Sequence, residues 1–170
     1  VSVVVGGVEV SKNLLSQNFD YIFFTGGTAV GKIVYQAAAE NLTSVTLELG
    51  GRNPLIVDET ANIKDAAQKI IWGKFLNCGQ TCISINYIYV HTSKALKLEE
   101  ELVKQLNKMY PEGSDAYTHV VNKNHFNRLT GLLNKSIEEG CEIVAGGKTN
   151  EDTNRIEPTI VKNMTTDSAI

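Results

Sequence analysis

The chain has 170 residues, 42% of them hydrophobic and 21% charged, with a net charge of -3, the proportions of an ordinary globular protein rather than a disordered or fibrous one. That charge leaves no basic footprint for nucleic acid, and no run approaches the roughly 20 apolar residues that span a bilayer. Three cysteines are too few, and odd in number, for a disulfide framework, which points to a reducing, cytoplasmic setting.

Val1-Ser2-Val3-Val4-Val5 reads as a β-branched strand already under way, ended by Gly6-Gly7. With no Met at position 1 and no closing element at Asp167-Ser168-Ala169-Ile170, a fragment of a longer polypeptide is expected. Residues 9–15 carry helical spacing. Tyr21-Ile22-Phe23-Phe24 is a compact apolar strand of the kind buried in a parallel sheet. It leads through Thr25-Gly26-Gly27-Thr28-Ala29-Val30-Gly31-Lys32 into a helix with Val30, Ile33, Val34 and Ala37 on one face. Residues 44–49 form a second strand, stopped by Gly50-Gly51, and strand, helix, strand at this spacing predicts a βαβ unit.

Beyond Pro54, Leu55-Ile56-Val57 is a short strand before Asp58. A helix is expected over about 62–76, where Ile63, Ala66, Ala67, Ile70, Ile71 and Phe75 fall at amphipathic spacing. Residues 77–82 are a turn-rich break. Residues 86–91 alternate like a strand, 94–109 and 126–138 read as helices, and 141–145 and 156–161 as strands around a polar loop at 146–154. The fold class is α/β. Two glycines and a proline at 50–54 mark a boundary, giving domains 1–50 and 51–170.

The glycine turn after the first strong strand has three readings. It can be a plain strand-to-helix connection. It can hold a dinucleotide phosphate on backbone N–H groups at a helix N-terminus, with Gly26 and Gly31 letting the backbone approach the ligand. It can be a P-loop, since Gly26 to Lys32 fits Gly-x-x-x-x-Gly-Lys and Asp58 follows a strand. The last reading fails at Ile33, where a metal-binding hydroxyl is required.

Glu48 stands among apolar neighbours at a strand end, either as an exposed terminal carboxylate or as a buried one whose raised pKa suits a general base. Asn77-Cys78-Gly79-Gln80-Thr81-Cys82 holds two thiols. His91, His119 and His125 show no ligand spacing with them, so no metal site is expected. Cys141, just past Gly140, fits a buried inert thiol. Cys82 differs: a glycine turn that opened a helix there would aim N–H groups at its sulfur, lowering its pKa and supplying oxyanion donors. Asn77 and Gln80 are expected to orient the turn by local hydrogen bonds. Cys78 either packs or is a second reactive thiol able to pair with Cys82.

Leu47-Glu48-Leu49-Gly50-Gly51 and Phe75-Leu76-Asn77-Cys78-Gly79-Gln80-Thr81-Cys82, with Glu48 and Cys82 34 positions apart (82 less 48), resemble the two signatures of the aldehyde dehydrogenase superfamily. The turn from Phe24 to Gly31 resembles that family's own Gly-x-x-x-x-Gly cofactor turn, and the likeness runs on through Glu157-Pro158-Thr159-Ile160. Residues 19–26 look most like class 3 enzymes, which act on medium- and long-chain or aromatic aldehydes.

The resemblance implies the end of a Rossmann-like dinucleotide-binding domain over 1–50. Part of an α/β catalytic domain, incomplete at its C-terminus, then covers 51–170. It implies Cys82 as nucleophile and Glu48 as base, with NAD or NADP held by Thr25, Gly26, Gly27, Val30, Gly31, Leu49 and Gly50. It implies an aldehyde substrate and a homo-oligomeric parent enzyme. Arg52 stands where the family usually has Lys, and Gly27 where many members have Ser. The family's upstream oxyanion Asn, its ribose-reading segment and its downstream Glu-Ile-Phe-Gly-Pro motif are not among these residues, so little turnover is expected of the 170 residues alone. A non-catalytic module of the same fold is the remaining alternative.

Overall fold

A computed structural model describes residues 1–165 and 168; of the expected open end at 167–170, all but Ser168 lies outside the described residues. The chain divides into two units, residues 1–51 and 52–170.

The first unit runs α1 (Val8–Leu15), β1 (Tyr21–Thr25), α2 (Thr28–Glu40) and β2 (Ser44–Glu48). β1 and β2 pair in parallel, from Tyr21 opposite Ser44 to Thr25 opposite Glu48, with α2 as the crossover. The expected βαβ unit is therefore present. Three details differ. Residues 1–5 form no strand and are exposed, because β-branched residues favour a strand only where there is a partner to pair and pack with. β1 is not buried on both faces: Tyr21 and Phe23 are exposed while Ile22 and Phe24 are half-buried, as in a two-stranded ribbon that α2 packs against. The buried stripe of α2 is Gly31, Val34 and Ala38, whereas Val30 and Ile33 are exposed. The helix starts at Thr28, inside the glycine turn, and its buried face is the one that packs on β1 and β2.

The second unit contains β3 (Asn53–Val57), α3 (Ile63–Phe75), β4 (Ile85–Val90), α4 (Ala95–Met109), α5 (Lys123–Glu138), β5 (Glu142–Ala145), β6 (Thr149–Asn150), β7 (Arg155–Ile156) and β8 (Ile160–Lys162). β3 and β4 pair in parallel around α3. β5 pairs with β8, and β6 with β7, both antiparallel. α3 starts where Asn62 accepts the Asp65 N–H at 3.3 Å, a side-chain cap on an otherwise orphaned donor. Its buried stripe of Ile63, Ala67, Ile70, Ile71 and Phe75 packs with Leu98, Leu102 and Leu106 of α4, as the spacing predicts.

α5 begins three residues before Phe126, because Asn122 caps it by accepting the His125 N–H at 3.0 Å. The strand expected over 156–161 is broken in two around the buried Pro158, whose missing N–H cannot serve a ladder. Its first part pairs back on Thr149–Asn150, so the expected loop at 146–154 holds half of a short hairpin. Cys141 is buried, as expected.

Candidate active site

α3 gives way after Phe75 to three consecutive residues in the left-handed region: Asn77 at φ 53°, Cys78 at 59° and Gly79 at 71°. Only glycine takes this conformation freely; other residues lose on the order of 1–2 kcal/mol. Local and distant bonds hold it. The Asn77 side-chain amide donates to the Gln80 carbonyl at 3.2 Å, and the Gln80 N–H donates to the Asn77 carbonyl at 3.1 Å. The orienting role expected of both amides is observed. Gln80 reaches further: its Nε2 donates to the carbonyls of Asn77 and His119 at 3.2 Å each, and its Oε1 accepts the Val121 N–H at 2.9 Å.

Cys78 points its thiol at the Tyr117 hydroxyl, 3.2 Å away. Tyr117 is buried edge-on between Phe75 and Tyr110, at centroid distances of 6.1 and 5.2 Å. Burial pushes the Cys78 thiol up, outweighing the Tyr117 hydroxyl and the nearby charges of Arg155 and Lys74, while burial also lowers the Lys74 ammonium. Cys78 is thus a neutral, half-buried packing thiol.

Cys82 is exposed and free. The Ser84 N–H closes its turn on the Thr81 carbonyl at 3.0 Å, and β4 follows at Ile85. The expected helix opening at Cys82 is not there; a helix precedes the turn and a strand leaves it, because residues 85–90 pair in parallel with β3. One amide that the motif reading passed over holds this segment. Asn53 Nδ2 donates to the Cys82 carbonyl at 2.8 Å and to the Ser84 carbonyl at 3.0 Å. The signal for it lies next door: Pro54 has no N–H to give the β3–β4 ladder, and the register shifts between Asn53 and Pro54.

In the first unit the Gly26 N–H donates to the Glu48 carbonyl at 3.0 Å, carrying the β1–β2 ladder one residue past Thr25. Gly27 is the N-cap of α2, with no side-chain cap, and the Gly31 N–H bonds its carbonyl at 2.9 Å. The N–H groups of Thr28, Ala29 and Val30 therefore have no acceptor within the helix and sit at its positive end. A Cβ on Gly31 would stand 2.7 Å from Leu49 Cδ2. The missing side chain at Gly31 leaves room for Leu49 against the helix. Thr25, Gly26, Gly27, Val30 and Gly50 are exposed, and Leu49 is half-buried. Glu48 is exposed, so the burial considered for its carboxylate is not found at this end of a two-stranded sheet.

The P-loop reading gains nothing. Asp58 accepts the Thr60 N–H and hydroxyl at 2.8 Å each, bonds that hold its carboxyl below the usual range and make it a turn former. Ile33 is an exposed apolar side chain.

The sequence matches the model of the aldehyde dehydrogenase family over residues 1–170. It is 50% identical over 173 aligned residues to the 4,4'-diaponeurosporen-aldehyde dehydrogenase of Staphylococcus aureus, covering all of this chain and 37% of that protein. It is 41% identical to a dimeric, NADP-preferring aldehyde dehydrogenase of Canis lupus familiaris, over 99% of this chain and 37% of that one. A crystal structure of Staphylococcus aureus betaine aldehyde dehydrogenase in complex with NAD+ superposes with a TM-score of 0.86 at 28% identity, over 97% of this chain and 35% of its own. The chain thus spans little more than a third of the length of these relatives.

Proposed function

The chain belongs to the aldehyde dehydrogenase family, and on that premise we propose that the whole protein oxidises an aldehyde to a carboxylic acid, with NAD or NADP as hydride acceptor. The observation that carries the proposal is the Glu48–Cys82 signature pair in a chain that matches the family throughout, with Cys82 free and exposed on its turn. Its substrate class is that of class 3 enzymes, medium- and long-chain or aromatic aldehydes. In support, the relative that is 50% identical is named for 4,4'-diaponeurosporen-aldehyde.

The Cys82 thiolate attacks the aldehyde carbonyl and forms a thiohemiacetal. The Cys82 N–H is one donor to the resulting oxyanion. Loss of hydride from the former aldehyde carbon leaves a thioester on Cys82. Glu48 takes a proton from water, the water attacks the thioester, and the acyl C–S bond breaks, releasing the carboxylic acid and regenerating the Cys82 thiol. Exposure suits Glu48 to reach water.

The glycine turn fits a dinucleotide. The uncapped N-terminus of α2 offers the Thr28, Ala29 and Val30 N–H groups to a pyrophosphate, with Thr25, Gly26 and Gly27 beside them and Gly31 keeping the helix against Leu49. Leu49 and Gly50 would flank the nicotinamide end through backbone contacts. When bound, the nicotinamide accepts the hydride.

A homo-oligomer is proposed as the working form, in keeping with a relative described as dimeric. A cytoplasmic setting is consistent with three free cysteines. In the full-length protein, Cys82→Ala should abolish NAD(P)-dependent aldehyde oxidation, and retained turnover would sink the proposal. Glu48→Gln should slow thioester hydrolysis more than hydride transfer, giving a burst of reduced cofactor before a slow steady state. An unchanged deacylation rate would remove Glu48 from its role.

A further inference from the structure

The turn that presents Cys82 is strained on one side and short of ladder donors on the other, and one side-chain amide meets each need. Before Cys82, the left-handed stretch at Asn77, Cys78 and Gly79 is conformationally costly and persists only where its surroundings hold it. Gln80 ties it down with both ends of its amide, to carbonyls at Asn77 and His119 and to the N–H of Val121. After Cys82, Pro54 withholds an N–H from the strand pairing, and the two N–H groups of the Asn53 amide take the carbonyls of Cys82 and Ser84. Both residues are half-buried, and the Asn53 bond to the Ser84 carbonyl is itself part-buried, where a hydrogen bond holds geometry better than at a wet surface. Gln80 thus fixes the backbone two residues before the thiol, and Asn53 fixes the peptide plane that Cys82 itself begins.

We infer that Gln80 and Asn53 form a two-sided amide clamp that sets the backbone of Cys82, and that both are positioning residues for its thiol. The inference rests on the proposed nucleophilic role of Cys82. Neither amide needs to touch substrate or cofactor. Together they restrict the Cys82 dihedrals, and hence the direction of its sulfur and of its N–H. A sulfur held in line with a carbonyl carbon reacts far faster than one that samples several directions.

The test replaces each amide by an apolar side chain of similar shape in the full-length enzyme, as Gln80→Met and Asn53→Leu. kcat should fall about tenfold in each through lost alignment, with KM for aldehyde and cofactor within about twofold of wild type. Alkylation of Cys82 by iodoacetamide, followed by peptide mass, should stay within about twofold of wild type, because an exposed thiol still meets a small electrophile. That split between kcat and thiol reactivity is what a role confined to strand pairing would not produce.

If either apolar variant does not fold, Asn53→Ser, which keeps one donor, carries the test: kcat should drop by several-fold at unchanged KM. Wild-type kcat in folded variants overturns the clamp. So does a loss of activity that merely tracks the folded fraction by near-ultraviolet circular dichroism, or a KM that rises as far as kcat falls. Cys82→Ala is run in the same assay. Turnover in that variant refutes the nucleophile, whereas an inert Cys82→Ala beside fully active clamp variants refutes the clamp alone.

Discussion

Gly79→Ala probes the strain in the thiol turn most directly. Gly79 has φ 71°, where an alanine loses on the order of 1 kcal/mol from backbone conformation alone. A Cβ there would also stand 3.2 Å from the Lys74 carbonyl oxygen. That oxygen is backbone of the last turn of α3 and accepts the hydroxyl of the buried Ser84 at 3.2 Å. If it moves away from the new methyl, the Ser84 bond weakens, at a cost of about 0.5–1.5 kcal/mol for a neutral hydrogen bond.

Gly113 supplies the control. Its φ is 77°, but nothing lies within 4 Å of the position its Cβ would take. Gly113→Ala should thus cost about 1 kcal/mol, and Gly79→Ala roughly 1.5–2.5 kcal/mol in all. Equilibrium urea melts of wild type and both variants, at matched m values, read the two costs. A difference between the variants below about 0.5 kcal/mol would mean that the Lys74 carbonyl yields freely, and would refute the strain argument. If neither variant is destabilised, the left-handed assignment itself falls.

Two further outcomes are expected. Asn62→Ala removes the cap of α3 and should lower stability by about 1 kcal/mol, with Asn62→Asp recovering most of it; urea melts decide, and an unaffected alanine variant would show that the core holds α3 unaided. Burial raises the Tyr117 hydroxyl well above its ordinary range, so the folded protein keeps that proton where the unfolded chain loses it, and stability drops as pH climbs past the phenol's ordinary value of about 10. Lys74, lowered by burial, pulls the opposite way, so wild type is compared with Tyr117→Phe at each pH. Wild type should lose ground to the variant above about pH 10, and parallel curves would refute the buried phenol.

Some of this was legible in the residues alone. α3 could be read because its cap and its apolar stripe are near neighbours in sequence, and helix physics acts over three or four residues. β1, α2 and β2 could be read as a βαβ unit for the same reason, and the Glu48–Cys82 spacing carried the family. Tertiary structure decided the rest. The strand expected over residues 1–5 is absent because strands need partners, and the buried face of α2 follows from its packing on β1 and β2. The opening of a helix at Cys82 yields to β4 because β3 is there to pair with it. Above all, the bonds around the thiol join residues 29 to 41 positions apart: Asn53 to Cys82, Cys78 to Tyr117, Gln80 to His119 and Val121. Local pattern marks which residue bears the thiol. Only the folded chain brings together the distant polar groups that fix where its backbone lies, since hydrogen bonding depends on distance in space and leaves no periodic trace along the sequence.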